Sequence, residues 1–253
     1  MRYFLILSYK GTNYHGWQLQ RNAPSVQAEL ERVLTALLRK QTPVTGAGRT
    51  DTGVHARNYT AHFDTERPVA DLEGFRYHLN SMLPGDIAVH AVHRVRDDAH
   101  ARFDALEREY IYYICSGKDP FSRETAWQYR AVPDMDAMNA AAAHLLEFDD
   151  FTTFAKLGSG NKNNLCRVTH AAWCRTESGL VFTIRANRFL RNMVRAITGT
   201  LVYEVGRGRM TPEGFRNIIA ARDLSLAGSS APAQGLFLNR IRYPEGIFIA
   251  DGE

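Results

Sequence analysis

Pro43-Val44-Thr45, then Gly46-Ala47-Gly48-Arg49-Thr50-Asp51-Thr52-Gly53, then Val54-His55-Ala56-Arg57-Asn58-Tyr59-Thr60-Ala61-His62-Phe63-Asp64 reads as two strands separated by a polar, glycine-punctuated turn. In the longer strand Tyr59, Ala61 and Phe63 alternate with Asn58, Thr60 and His62, the period of two expected of a sheet with one apolar face. Upstream, Ser25 follows Pro24 at an N-cap position, and Val26, Leu30, Val33, Leu34 and Leu37 recur at helical spacing up to the basic end Arg39-Lys40. Arg2 to Tyr9 supplies an opening strand. Downstream, Asp71 begins a second helix carrying Leu72, Phe75, Leu79 and Met82, stopped by Pro84-Gly85, and Ile87 to Val95 is a further strand.

The second half shows the same mixture. Glu109 to Cys115 is an aromatic strand with Tyr110 and Tyr112 opposite in facing to Ile111 and Tyr113. Asp134 caps a helix through Leu146, Val181 to Ala186 is a strand, and Asn187 is placed to cap a helix running towards Gly206. Thr211-Pro212-Glu213 opens another helix, with a capping hydroxyl, a proline at the first helical position and an early acid, and Gly235 to Tyr243 is a closing strand. Strands and helices in two similar halves predict an α+β fold of two subdomains, 1–105 and 106–253, with their sheets joined and a cleft between them.

Composition narrows the class. The 253 residues carry 31 basic and 27 acidic side chains and 45% hydrophobic content, an ordinary globular balance. Apolar runs are as short as Phe4-Leu5-Ile6-Leu7, too short for a membrane span or a signal-peptide core, so the expectation is a cytoplasmic protein without a membrane partner. Three cysteines, Cys115, Cys166 and Cys174, without a C-x-x-C spacing argue against a disulfide framework and a structural zinc site. His90 and His93 fall on opposite faces of a strand, and no metal is expected. Only five cations are lysine, which leaves 26 arginines, a composition suited to phosphate recognition and equally to a GC-rich genome. Position says more than composition. Arg185, Arg188, Arg191, Arg195, Arg207 and Arg209 face a single acid, Glu204, over the same stretch, an electrostatic footprint for a polyanion.

Three segments could carry chemistry. The turn from Gly46 to Ala56 lacks the G-K-[ST] of a phosphate loop and the third glycine of G-x-G-x-x-G; what remains is Asp51 near Arg49 on a turn whose glycines admit a ligand, or else a polar turn with a surface ion pair. Phe189 to Arg195 is expected inside the helix after Asn187. Leu190, Met193, Val194, Ile197 and Leu201 form its buried face, and Arg188, Arg191 and Arg195 form a stripe that is either solvated or phosphate-binding. In Arg108-Glu109-Tyr110-Ile111-Tyr112-Tyr113, a tyrosine is either a packing residue or a stacking platform for a base.

In this order, and with Tyr9-Lys10-Gly11-Thr12-Asn13-Tyr14-His15-Gly16-Trp17-Gln18 before them and Ala231-Pro232-Ala233-Gln234-Gly235-Leu236 after, these segments resemble the tRNA pseudouridine synthase A family along nearly the whole chain. The resemblance implies two ferredoxin-like halves with a joined, largely antiparallel sheet and a basic cleft, a homodimer, and a tRNA partner. The implied reaction is cofactor-free isomerisation of uridine to pseudouridine in the anticodon stem-loop, at positions 38, 39 and 40. It implies Asp51 as the catalytic carboxylate, Arg195 as its basic partner, Tyr110 as the active-site tyrosine over the uracil, and Arg49 as the residue that fills the space left by the flipped nucleotide. Arg188 and Arg191 are candidates for tRNA phosphates. The chain departs from the family pattern at Thr52, where Ala is frequent, and at Asn58-Tyr59-Thr60, where G-Q-V is common; these bear on substrate range. A non-catalytic RNA-binding protein or RNA chaperone on the same scaffold is the rival that Asp51 speaks against. A nucleoside hydrolase or glycosidase would call for a second carboxylate or a metal.

Overall fold

The computed structural model describes residues 1–158, 160 and 162–249, which divide into two compact units, 1–106 with 238–249 and 107–237. The fold is mixed, with five α-helices and extensive, mostly antiparallel sheet among the described residues. No helix among them is long and apolar enough to cross a membrane.

In the first unit the elements run β1 (Arg2–Tyr9), α1 (Val26–Leu38), β2 (Thr45–Gly46), β3 (His55–Asp64), α2 (Leu72–Met82) and β4 (Ile87–Val95). β1 is central, antiparallel to β3 through pairs such as Leu5 with Ala61 and to β4 through pairs such as Leu5 with Val92. β2 pairs with the other edge of β3, giving the order β4-β1-β3-β2. The central place of β1 suits its sequence, since Phe4, Leu5 and Leu7 are all fully buried. Both helices start where a side-chain oxygen meets an amide three residues on: Ser25 accepts from Ala28 at 3.3 Å and Asp71 from Gly74 at 2.9 Å. Val26, Leu30, Val33 and Leu34 of α1 are buried at 0% exposure.

Two expectations for this unit are corrected. The strand expected at Pro43 to Thr45 is Thr45–Gly46. The second face of β3 is apolar-covered over part of its length: Asn58 is exposed, but Thr60 and His62 are buried as well as Tyr59, Ala61 and Phe63. The reason is tertiary. Phe4, Ala47, Val95, Ala99, Ala101 and Ile247 form a cluster on that side with Tyr243 packed against it, and the Ala101 amide donates to His62 Nδ1 at 3.1 Å.

The second unit runs β5 (Glu107–Cys115), the short β6 (Trp127–Gln128), α3 (Met135–Ala143), β7 (Val168–Thr176), β8 (Gly179–Ala186), α4 (Met193–Thr200) and α5 (Pro212–Ala221). β8 lies between β5 and β7, antiparallel to both, and β6 adds a short parallel pairing to β5. A π-helical turn, Leu201–Val205, extends α4 to Gly206. The last strand, β9 (Leu236–Arg242), begins in the second unit and ends in the first.

The helix expected from Asn187 begins instead at Met193, behind Asn192 in the left-handed region at φ 65°. Asn187 is engaged elsewhere: its Oδ1 accepts the amides of Arg167 and Arg188, each at 2.8 Å, and its own amide donates to the Arg167 carbonyl. Arg188 and Arg191 therefore lie before α4 and do not share a helical stripe with Arg195.

Candidate active site

Asp51 stands on a turn held by three separate parts of the first unit. The Ala47 amide donates to the Thr60 carbonyl at 2.9 Å, and the Thr50 carbonyl accepts the Trp17 amide at 3.3 Å. The Thr50 hydroxyl is hydrogen-bonded to the Tyr9 hydroxyl at 2.9 Å. The chain then reverses, with the Val54 amide donating to the Asp51 carbonyl at 3.1 Å and Gly53 at φ +78°, the geometry of a type II turn that asks for glycine at this place.

The segment from Tyr9 to Gln18 is the cradle of this turn. A Cβ on Gly16, at φ +90°, would stand 2.3 Å from the Thr50 carbonyl oxygen, and one on Gly11 would stand 2.0 Å from that of Val54. Both contacts are with backbone, which cannot swing aside, so the close approach requires glycine. The Gly11 amide also donates to Nδ1 of the fully buried His55 at 2.9 Å. On this support the Asp51 side chain is half-buried and Arg49 is exposed, with Arg49 Nε donating to Gln18 Oε1 at 3.2 Å. Gln18 is itself bound to Gln27 of α1 at 3.0 Å.

The other named residues belong to the second unit. Tyr110, half-buried on β5 opposite Ile184 of β8, meets Phe189 edge-on with ring centroids 5.1 Å apart. Arg195 on α4 clasps one residue twice: its Nε donates to the Ala231 carbonyl at 2.8 Å and its own carbonyl accepts the Ala231 amide at 2.9 Å. The next residue, Pro232, accepts the Tyr112 hydroxyl at 2.7 Å, so the 231–232 segment links β5 to α4. Burial raises the Tyr112 phenol well above its ordinary range, with the Arg195 charge opposing, which keeps it a neutral donor. Before the helix, Arg188 reaches Asn163 Oδ1 at 3.2 Å, and Arg191 is exposed.

Residues 5–104 and 141–244 match the family model described as tRNA pseudouridine synthase. The chain belongs to the tRNA pseudouridine synthase family. Proteins named tRNA pseudouridine synthase A from Parabacteroides distasonis and Bacteroides thetaiotaomicron are 50% and 52% identical to it, over 98% of this chain and 98% and 92% of theirs. One of the same name from Geobacter sulfurreducens is 40% identical over 94% of this chain and 98% of its own. The chain is thus a member of an isomerase family.

The segments that match the family contain Asp51, Arg49, Arg188, Arg191 and Arg195, while Tyr110 falls between them. Reading by sequence quoted Tyr9, Trp17, Tyr59, Tyr112 and Ala231 without giving them a role: the first three support the Asp51 turn, and the last two hold Arg195 to β5 through residues 231–232. Their signal was present as aromatics beside glycines, Tyr9 near Gly11 and Trp17 after Gly16, a pattern that marks a ring or a backbone packed too closely for a side chain.

Proposed function

We propose that this protein isomerises uridine to pseudouridine in the anticodon stem-loop of tRNA, at one or more of positions 38, 39 and 40, with Asp51 as the catalytic carboxylate acting on a flipped-out uridine. The observation that carries this reading is the turn itself. A half-buried carboxylate rests on a backbone anchored through Tyr9, Trp17 and Thr60, rigid enough to hold one oxygen at a reacting atom. The reaction breaks the bond from uracil N1 to the ribose, rotates the base and joins it through C5; the C5 proton leaves and N1 gains one. A carboxylate serves this by attack at C1′ or C6, or by assisting removal of the C2′ proton.

In this reading Tyr110 stacks on the uracil and handles the proton at C5, Arg195 serves as the basic partner of Asp51, and Arg49 occupies the space vacated by the flipped nucleotide. Arg188 and Arg191 contact tRNA phosphates, a role compatible with their place in the loop before α4. The first half of the chain carries the carboxylate and Arg49, and the second carries the tyrosine strand and Arg188, Arg191 and Arg195. The order β4-β1-β3-β2, built from strand, helix, two strands, helix and strand, supports a ferredoxin-like first half. The joined sheet with its basic cleft, a homodimer and a cytoplasmic location belong to the same proposal.

The test is Asp51→Asn, which keeps the shape of the side chain and discards its charge. The variant is expected to fold and bind tRNA while tritium release from C5-labelled uridine in tRNA falls at least a thousandfold, on the order of losing an essential catalytic group. Appreciable turnover would remove Asp51 from the chemistry. Binding without turnover by the unaltered chain would favour a non-catalytic RNA-binding protein.

A further inference from the structure

We propose that Tyr59 is a positioning residue of the reaction: its hydroxyl holds the backbone of Gly48 and thereby fixes the stretch that presents Arg49 and Asp51. The inference rests on the isomerase reading above. The Tyr59 hydroxyl accepts the Gly48 amide at 3.3 Å and donates to the Gly48 carbonyl, so one phenol engages both polar groups of one residue. That residue is the loosest joint of the turn. Glycine has the widest backbone freedom, and around Gly48 nothing stands within 4 Å of where a side chain would begin. Its neighbours are anchored through the main chain, Ala47 to Thr60 and Thr50 to Trp17, which leaves Gly48 as the point at which the phenol closes the gap.

The phenol is itself rigidly placed. Tyr59 is 1% exposed, stacked on Trp17 at 4.1 Å with planes 28° apart, and edge-on to Tyr9 at 5.6 Å. Gly46 opens the way to it: a Cβ there would lie 2.2 Å from the Tyr59 hydroxyl oxygen and 2.5 Å from the Trp17 ring. The Tyr59 hydroxyl is directed at the turn that carries Asp51, and its consequence is for geometry at the carboxylate. Small displacements of a catalytic group act on turnover, by about a hundredfold for 1 Å.

The experiment is Tyr59→Phe in the full chain, which keeps the ring stacked on Trp17 and removes the hydroxyl. Pseudouridine formation on an unmodified tRNA transcript gives kcat and KM, and amide hydrogen exchange is followed over residues 46–54. Expected are a fall in kcat of about tenfold with KM within about twofold, and faster exchange confined to residues 46–54. Unchanged kcat overturns the proposal, as does a rise in KM alone. Faster exchange spread through residues 1–106 also overturns it, because Tyr59 would then be a folding residue. An unaltered chain without isomerase activity would refute the functional reading, while the exchange comparison would still decide whether the hydroxyl holds the turn.

Discussion

His62, 5% exposed, accepts the Ala101 amide at its Nδ1, so its folded-state role requires the neutral ring. Burial, with the Arg2 charge adding to it, pushes its pKa down from the ordinary 6.5 to about 4. The unfolded chain therefore takes up this proton first as the pH falls. The stabilising contribution is complete above about pH 6.5 and is lost progressively down to about pH 4, by about 3 kcal/mol at most. Urea unfolding of the unaltered chain and of His62→Gln at pH 7 and pH 4.5 checks this. The variant keeps a carbonyl for the Ala101 amide and should show a smaller loss of stability between the two pH values; equal losses would mean that His62 does not report its burial. The same residue scale explains the contrast between glycines, since Gly16 and Gly11 face backbone oxygens whereas Gly48 faces open space.

At the scale of elements, α4 and the loop segment 229–232 work as one clamp. Asn192 turns the chain through the left-handed region and its Nδ2 donates to Ser230 Oγ at 2.7 Å, three residues before Arg195 takes hold of Ala231. Gly199 lets the helix come this close: a Cβ there would lie 1.9 Å from the Ser229 carbonyl oxygen and 2.8 Å from the Ala231 nitrogen, both backbone. Gly199→Ala must push residues 229–231 away from α4. The expected cost is about 1 to 3 kcal/mol of stability, as for other overpacked interiors. Arg195 would lose its anchor, and on its proposed role beside Asp51 saturating turnover should fall more than tRNA affinity. Thermal unfolding together with saturating and half-saturating rates tests this, and an unchanged melting temperature would show that the clamp yields freely. Beyond it, the Thr198 and Thr200 hydroxyls donate to the Val194 and Ala196 carbonyls at 2.8 Å, back-bonds that accompany the passage into the wider π-helical turn.

At the scale of the molecule, the first unit is completed by the far end of the chain. Ile247 is 1% exposed in the cluster with Phe4, Val95, Ala99 and Ala101, and the backbone around it is paired to the first hundred residues, the Arg96 amide donating to the Ile247 carbonyl and the Ile249 amide to that of Arg94. Tyr243 contributes its ring edge-on to Phe4 at 5.2 Å and its hydroxyl to the Ala101 carbonyl. Removing the Ile247 side chain should therefore act as a core deletion. Ile247→Ala is expected to cost about 2 to 5 kcal/mol in denaturant unfolding and Ile247→Val about 0.5 to 1.5. A loss within error for the alanine variant would place the terminal segment outside the cooperative core of the unit.

What the sequence determined by itself was local. Ser25, Asp71, Asp134 and Thr211 each accept the amide three residues on, because a cap depends on a few neighbouring residues that can be read directly. Ile87 to Val95 was legible to the residue, as an apolar-rich run bounded by Pro84-Gly85. Asp51 was legible as a carboxylate on a glycine-rich turn. β7 escaped, since Thr169-His170-Ala171-Ala172 has no clear alternation, and its identity as a strand comes from its pairing with β8. Asn187 reads locally as a helix start, but the helix begins behind Asn192, because the amide of Arg167, twenty residues back, engages the Asn187 side chain. Likewise the burial of Thr60 and His62 and the convergence of Tyr9, Trp17 and Tyr59 on the Asp51 turn arise from segments far apart along the chain. Such contacts leave no local period to read, and only the packed chain decides them.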